Sequence, residues 1–343
     1  MKDNCSLLVT LPSLNNKDKI LEIFKNPLIS AVRFNTGVVS QIPMESALKV
    51  LKGLADENHK TLWIDLKGRQ LRITKWADPL YEAIELNHEI SAQLPAKIVL
   101  RGEEPVNITR IDKNKIYVYP IPRHAVGAGQ SVNIISPTLK IFGYLTEKDK
   151  EVLTICKKEG IFNVMASFVE EESDLDEIRQ FLPLASIVCK IESLKGAKFV
   201  LNSFGKSLMA ARDDLFVECE NSYEILKMLE LIVSKDPSSI CASRIFSSLE
   251  KSDKVSLADF CDLELMYKMG YRNFMFCDNI CNYSLPKALE AWQEFTEKNK
   301  TTIFENLVSS PKIEINEETV KTEPIKICKK NLEKGDSKWI IML

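Results

Sequence analysis

Short runs of β-branched and apolar residues alternate with longer segments of helical periodicity along most of this chain, and this alternation constrains the fold more than any other feature. The runs that predict strands are Ser6–Thr10, Ser30–Phe34, Thr61–Asp65, Phe162–Ala166, Ser186–Ile191, Ser207–Ala210, Ser239–Ala242 and Asn273–Phe276. The segments that predict the helices between them are Lys17–Phe24, Met44–Leu54, Glu147–Lys158, Asp174–Phe181, a short helix from about Gly196, Ser222–Val233, Leu257–Lys268 and Ser284–Lys298. Eight strand–helix units favour an α/β fold of the (β/α)₈ TIM barrel type over an open doubly wound sheet.

The connection between the third predicted strand and its helix is far longer than the others. Within it, Val106–Ile111, Lys115–Pro120 and Gln130–Ile135 indicate short strands with polar breaks. This pattern predicts a small, lid-like β subdomain at 73–135, inserted into a barrel made of 1–72 and 136–298. We expect the remaining tail, 299–343, to pack on the barrel through its apolar residues: Ile325, Ile327, Trp339 and Ile340.

Composition excludes several classes of function. The net charge of −2 argues against a nucleic-acid partner or an anionic membrane surface. No apolar run approaches the roughly 20 residues that span a bilayer, and the N-terminus has no signal-peptide pattern. Nine cysteines without a Cys-x-x-Cys pair, together with only three histidines, predict reduced thiols in a cytoplasmic protein and disfavour a zinc site.

Polar side chains recur where the predicted strands end, which is where (β/α)₈ barrels carry their active sites. These residues are Arg33, Asn35, Asp65, Lys67, Ser167, Lys190, Glu192, Arg212, Asp214 and Ser243. The carboxylates of Glu192 and Asp214 suit a divalent cation such as Mg²⁺. Four cationic side chains suit a phosphate or carboxylate group: Arg33, Lys67, Arg72 and Lys190. The combination predicts an anionic substrate bound through a metal.

Each residue also has a purely structural interpretation. Lys190 and Glu192 alternate with apolar residues, so both point the same way, either into the lumen or into the helix layer. In either direction they could form no more than a strand-end ion pair. Asp213-Asp214 could cap a following helix or turn. Arg33 could belong to a surface salt bridge, Asn35 to a turn, and Lys67-Gly68 to a plain turn. The functional interpretation depends on all of these residues falling at successive strand ends.

Five stretches share the order and spacing of the motifs of one family. They are Ala31-Val-Arg-Phe-Asn35, Asp65-Leu-Lys-Gly-Arg-Gln-Leu-Arg72, Ala166-Ser-Phe-Val169, Lys190-Ile-Glu192 and Met209-Ala-Ala-Arg-Asp-Asp-Leu215. They resemble the Arg-Leu-Asn, Asp-Thr-Lys-Gly-Pro-Glu-Ile-Arg, Ala-Ser-Phe-Ile/Val, Lys-Ile-Glu and Met-Val-Ala-Arg-Gly-Asp-Leu motifs of pyruvate kinases. Cys241-Ala-Ser-Arg244 is a weaker match to the family's Ala-Thr-Gln. The resemblance extends over about Leu7–Phe295.

The resemblance implies a role for each matched residue. Lys190, Arg33 and Ser243 would be catalytic: Arg33 would hold the phosphoryl group of phosphoenolpyruvate, Lys190 would stabilise the developing enolate, and Ser243 stands where the family has Thr. Glu192 and Asp214 would bind Mg²⁺ or Mn²⁺. Asn35 and Asp65 match positions of the family's K⁺ site. The implied substrate-binding residues are Arg33, Arg72, Asp213, Asp214 and Ser243.

The sequence departs from the family pattern at several of these places. Gly37 replaces the Ser that supplies a K⁺ ligand, Gln70 replaces an acid, and Asp213 replaces the Gly before the metal-binding Asp. The Ser-Gly-Glu-Thr that follows strand eight becomes residues 277–280, Cys-Asp-Asn-Ile. The residues that match the family's keto-acid and metal site are therefore retained better than those that match its nucleotide site.

The resemblance implies a Mg²⁺-dependent phosphotransferase of glycolysis that converts phosphoenolpyruvate and a nucleoside diphosphate such as ADP to pyruvate. Two alternatives remain: a lyase or aldolase that acts on a pyruvate-type enolate, and a non-catalytic phosphoenolpyruvate-binding or scaffold protein. The tail has no counterpart of the family's C-terminal regulatory domain. From this we expect a monomer or dimer rather than a tetramer. Because Gly37 and Gln70 replace the family's Ser ligand and acid, we expect any kinase activity to be largely independent of K⁺.

Overall fold

The computed structural model describes residues 5–37, 42–75, 83–100, 105–122, 126–202, 205–219 and 223–298. Its strands, in chain order, are β1 (Ser6–Thr10), β2 (Ala31–Asn35), β3 (Thr61–Leu66), β4 (Ile84–Glu85), β5 (Ile90–Ser91), β6 (Ala96–Leu100), β7 (Val106–Asp112), β8 (Lys115–Tyr119), β9 (Val132–Ile135), β10 (Lys140–Ile141), β11 (Asn163–Ala166), β12 (Ser186–Ile191), β13 (Ser207–Ala211), β14 (Ile240–Ala242) and β15 (Asn273–Phe276). The predicted tail, 299–343, lies outside the described residues, and so do the tail residues named above.

The helices, in chain order, are α1 (Lys17–Lys25), α2 (Met44–Glu57), α3 (Glu147–Glu159), α4 (Glu172–Phe181), α5 (Leu194–Leu201), α6 (Arg212–Val217), α7 (Glu224–Lys235), α8 (Leu257–Met269), α9 (Asp278–Tyr283) and α10 (Leu285–Lys298). Eight of them match the predicted helices to within a few residues. The sequence did not predict α6 and α9, because six residues are too few for a 3.6-residue period to stand out. None of the described helices is long and apolar enough to cross a membrane.

Eight parallel strands close into a barrel in the order β1, β15, β14, β13, β12, β11, β3 and β2. Side chains alternate along each strand and so form two apolar layers. The lumen holds one small cluster, which includes Ala31, Val188 and Met209, while Val32 and Cys189 belong to the large core under the helices. The predicted (β/α)₈ barrel with a β subdomain inserted after its third strand is confirmed.

The segment between β3 and α3 forms a five-stranded antiparallel sheet in the order β4, β8, β7, β6 and β9, beside a two-stranded pair of β5 with β10. It has its own hydrophobic core, which includes Ile98, Ile108 and Ile116. The sequence predicted three of these strands. It missed the two-residue strands, because two residues carry no alternation to detect, and it also missed β6.

Helix α3 stabilises the turn that follows β3. The Asp149 carboxylate accepts hydrogen bonds from the backbone N–H groups of Lys67 (2.9 Å) and Gly68 (3.1 Å), and the same side chain completes the capping box of α3 with Thr146. Gly68 has φ +48°, and a Cβ added there would lie 2.5 Å from the carbonyl oxygen of Ser167. This position therefore requires glycine. The result is a fixed path for the backbone that carries Lys67 into the barrel mouth.

Candidate functional site

The alternation of side chains decides which polar residues face the lumen. Ala31 and Val188 point into the barrel interior, so Arg33 and Lys190, two residues further along the same strands, point the same way at the carboxyl ends. Asp65 has the same orientation on β3 and pairs in register with Asn35. Of the two directions that the sequence left open for Lys190 and Glu192, the structure selects the lumen, and Arg33 is buried rather than part of the surface. They form a buried charged ring at the barrel mouth.

Asp65 lies at the centre of this ring and is completely buried. Its carboxylate accepts a hydrogen bond from Arg33 Nε at 3.1 Å and forms ion pairs with Lys67 Nζ at 3.0 Å and Lys190 Nζ at 3.2 Å. Burial alone would raise the pKa of Asp65, but the positive charges of Arg33, Lys190 and Lys67 hold it well below its usual range. Asp65 is therefore a permanent anion that keeps three cations together.

The predicted K⁺ site does not fit this arrangement. The ammonium group of Lys67 lies 2.6 Å from Asn35 Oδ1 and 3.0 Å from Asp65 Oδ2, so it occupies the two side-chain oxygens that a K⁺ ion would need. Gly37 supplies no side-chain oxygen, and a Cβ there would lie 2.8 Å from Lys67 Cε. Burial, together with the nearby positive charges, lowers the pKa of Lys67 to about 8. We derive no role for K⁺.

Lys190 connects the ring to the carboxylate pair on the other side of the mouth. Its ammonium donates to Ser167 Oγ at 2.7 Å and forms an ion pair with Glu192 Oε1 at 3.0 Å. The other oxygen of Glu192 accepts from the backbone N–H of Phe168 at 2.7 Å. Burial alone would lower the pKa of Lys190, but Asp65 and Glu192 outweigh it and raise the pKa. Lys190 is a fixed positive charge in this site.

Asp214, in the first turn of α6, lies near the carboxylate of Glu192. Burial and the negative charge of Glu192 raise the pKa of Asp214 to about 7. No lysine or arginine among the described residues lies within ion-pair distance of Asp214. Two facing carboxylates without a second cation are a donor set that fits Mg²⁺, which proteins bind through one or two carboxylates plus waters and substrate oxygens. The described residues contain no group of three or more His, Cys, Asp or Glu side chains that could hold a metal without such additional ligands.

Two predicted residues lie on the rim of the site. Ser243 follows β14 with φ +67°, and its carbonyl oxygen accepts hydrogen bonds from the buried Arg212 guanidinium at 2.6 and 3.1 Å. Asp213 is half exposed and forms an ion pair with Arg244 at 2.7 Å. The structure therefore turns Asp213 away from the ring, although its neighbour Asp214 faces it. Asp213 and Asp214 do not cap α6 but lie in its first turn.

Arg72 lies beside the ring, where the chain leaves the barrel for the inserted sheet. Its guanidinium is bound by Gln70 Oε1 at 2.7 and 3.0 Å and by the carbonyl oxygen of Gly129. A Cβ added at Gly37 would lie 3.3 Å from Arg72 Cζ, which places Arg72 over the mouth. Gln70, at the position where the family pattern has an acid, therefore orients Arg72 without neutralising it.

Sequence reasoning missed Asp278 as a site residue. It is the first residue of α9, two residues beyond the end of β15, and its carboxylate contacts Arg33 NH1 at 2.8 Å and Asn35 Nδ2 at 3.0 Å. Burial would raise the pKa of Asp278, but Arg33 and the hydrogen bond from Asn35 lower it. The sequence contained one signal for this residue. An aspartate follows the eighth predicted strand, where Cys-Asp-Asn-Ile replaces the family's Ser-Gly-Glu-Thr.

A closed (β/α)₈ barrel, a β sheet inserted after its third strand and a ring of buried cations and carboxylates at the strand ends define the class of protein. The family model described as pyruvate kinase, barrel domain, matches residues 98–267. The pyruvate kinase of Mycoplasma genitalium is 26% identical over 220 residues, which cover 60% of this chain and 42% of the relative. The chain belongs to the pyruvate kinase family, as a divergent member.

Other comparisons agree with this assignment. Pyruvate kinase 1 of Saccharomyces cerevisiae is 30% identical over 133 residues, 35% of this chain and 26% of the relative. The crystal structure of Cryptosporidium parvum pyruvate kinase has a TM-score of 0.67 and 18% sequence identity, covering 87% of this chain and 70% of that one, which shows the shared fold. The chain spans less than half the length of the curated relatives that it matches.

Proposed function

We propose that the charged ring is the substrate site of a Mg²⁺-dependent phosphotransferase that acts on phosphoenolpyruvate and a nucleoside diphosphate. The observation that carries this proposal is the position of Lys190 Nζ, 3.2 Å from Asp65 and 3.0 Å from Glu192, beside the facing carboxylate of Asp214. Family membership supports the same reaction. A fixed cation next to a metal-binding carboxylate pair is what an enolate requires, because the negative charge must be stabilised where it develops.

In the proposed reaction, the bond from phosphorus to the enol oxygen breaks and a bond to the terminal oxygen of the nucleoside diphosphate forms. The enolate then takes a proton at its methylene carbon to give pyruvate. Lys190 would stabilise the negative charge as the phosphoryl group leaves. Because Ser167 Oγ, Asp65 and Glu192 all hold its ammonium, little reorganisation is needed during the reaction.

Glu192 and Asp214 would hold the divalent cation. Mg²⁺, when bound, would supply Lewis-acid polarisation of a substrate oxygen. The chain itself prepares the pair: the Phe168 N–H orients Glu192, and the placement in the first turn of α6 brings Asp214 opposite it. Their mutual repulsion in the metal-free state is the reason for expecting a cation there.

Arg33 and Arg72 would receive the anionic groups of the substrate. Arg33 is buried on β2, and its guanidinium faces the mouth next to Asn35. Arg72, at the root of the inserted sheet, would close over the substrate from the other side. Guanidinium groups bind phosphate and carboxylate through paired hydrogen bonds, which supports this assignment.

The test is a coupled assay for pyruvate release from phosphoenolpyruvate, with ADP, with GDP and with no acceptor, in Mg²⁺ or Mn²⁺. We expect acceptor-dependent release in the wild type, its loss in Glu192→Gln, and its retention in Glu264→Gln. Glu264 is the matched control because it is not a ring residue and forms an exposed ion pair with Lys268 on α8. Release that is equal with and without acceptor would reject phosphoryl transfer.

One observation favours a second candidate, enolate chemistry on a keto acid without phosphoryl transfer. Asp278 already occupies donors of Arg33 and Asn35 that a phosphoryl group would need, whereas Lys190 and Glu192 remain arranged for an enolate. Exchange of the methyl protons of pyruvate in deuterated water, followed by NMR, measures enolisation alone. Metal-dependent exchange without any phosphoryl transfer would support this candidate.

A further inference from the structure

The carboxylate of Asp278 spans two side chains of β2. One oxygen accepts from Arg33 NH1 at 2.8 Å, and the other accepts from Asn35 Nδ2 at 3.0 Å. These contacts use both carboxylate oxygens in the way that two oxygens of a phosphoryl group would use them. The Asp278 side chain is 39% exposed, whereas that of Arg33 is 8% exposed. Asp278 therefore covers Arg33 from the solvent side of the barrel mouth.

Arg33 has few hydrogen-bond donors left for a ligand. A guanidinium carries five N–H donors. Four of them are engaged by described residues: two with Asp65, one with Thr10 Oγ1 at 3.0 Å and one with Asp278. A ligand that needs two parallel hydrogen bonds from Arg33 must therefore displace an existing partner. Asp278 is the most exposed of these partners and the easiest to displace.

The ring residues that form direct ion pairs have balanced charges, and Arg72 at the rim adds one positive charge that is bound by neutral groups. Arg33, Lys67 and Lys190 provide three positive charges, and Asp65, Asp278 and Glu192 provide three negative charges in direct ion pairs. A phosphoryl group carries close to two negative charges at neutral pH. It would enter beside a carboxylate that lies at hydrogen-bonding distance from the same guanidinium, so the repulsion acts at short range in a poorly solvated site.

We propose that Asp278 is a specificity-determining residue, an internal anion that lowers the affinity of the Arg33 end of the site for a phosphoryl group and biases the site towards keto acids. This inference rests on the proposed function, because it takes the ring as the substrate site. It also accounts for an acid at a position where the family motif has none. The Lys190–Glu192–Asp214 side of the ring is left unchanged by Asp278.

Calorimetric titration of the full chain in saturating Mg²⁺ with phosphoenolpyruvate and with oxalate tests this proposal. Oxalate resembles the enolate and has no phosphoryl group. The variants are Asp278→Asn, Asp278→Ser and the control Asp253→Asn, which removes the same charge from an exposed ion pair with Lys287. We expect both Asp278 variants to bind phosphoenolpyruvate about tenfold more tightly relative to oxalate, because one unit charge is removed next to the phosphoryl group. The control should not change that ratio.

An unchanged ratio of the two affinities in both Asp278 variants overturns the inference and leaves the proposed function standing. Binding of oxalate to every variant, with phosphoenolpyruvate bound by none, also overturns the inference and leaves only enolate chemistry. If neither ligand binds the wild type or any variant, the proposed function fails, and the inference fails with it. A ratio that shifts equally in Asp253→Asn assigns the effect to net charge and overturns the specific role of Asp278.

Discussion

Asp65 is the residue whose replacement should damage the ring most. It is fully buried, and its carboxylate contacts the charged groups of Arg33, Lys67 and Lys190 within 3.2 Å. Asp65→Asn keeps the shape of the side chain but removes the negative charge that these cations share. The amide nitrogen would also present a donor to groups that can only donate.

The expected loss in the free energy of unfolding depends on which ion pairs each cation retains in the variant. Removing one partner of a buried ion pair costs about 3–5 kcal/mol, because an uncompensated charge stays buried. In Asp65→Asn, Arg33 still has Asp278 and Lys190 still has Glu192. Only Lys67 is left without a carboxylate. We therefore expect the lower end of that range, a loss of about 3 kcal/mol in the free energy of unfolding.

Urea unfolding at pH 7.5, followed by circular dichroism, measures this difference. The control is Asp56→Asn, which breaks an exposed ion pair with Lys52 on α2 and should cost less than about 1 kcal/mol. The pKa of Asp65 is depressed in the folded state, so its contribution is complete above the unfolded pKa of about 3.9 and is lost as the pH falls further. An Asp65→Asn protein as stable as Asp56→Asn at pH 7.5 would refute the reasoning.

Three further predictions concern the same site. Mg²⁺ or Mn²⁺ should bind the wild type and not Glu192→Gln; equal calorimetric titrations of the wild type and the double variant Glu192→Gln, Asp214→Asn would exclude the metal site. Any kinase activity should change less than about twofold when Na⁺ replaces K⁺, because Lys67 occupies the oxygens of Asn35 and Asp65; a tenfold activation by K⁺ would contradict this. The pKa of Asp214 is raised from about 3.9 in the unfolded chain to about 7 in the folded one, so this group destabilises the metal-free fold increasingly between pH 4 and pH 7 and fully above pH 7, and has no effect below pH 4. Asp214→Asn in a chelator should therefore raise the free energy of unfolding by about 1–3 kcal/mol at pH 8 and leave it unchanged at pH 4, which a pair of urea titrations will show.

The sequence was sufficient for the barrel because strand–helix alternation is a local property. Runs such as 187–189 are apolar on both faces, as parallel strands under a helix layer must be. It was also sufficient to place Lys190 and Glu192 at one strand end. The helices that follow β13 and β15 were missed, because six residues are too few to show a helical period.

Only the tertiary structure decided which way the strand-end residues point and which of them meet. The spacing of Lys190 and Glu192 is the same for a lumen-facing and a helix-facing pair, and closure of the barrel selects the lumen. Asp278 is 245 residues from Arg33 in sequence, yet the closure between β1 and β15 brings them to 2.8 Å. Local patterns determine elements, whereas a contact between the two ends of a barrel exists only after all eight strands have paired.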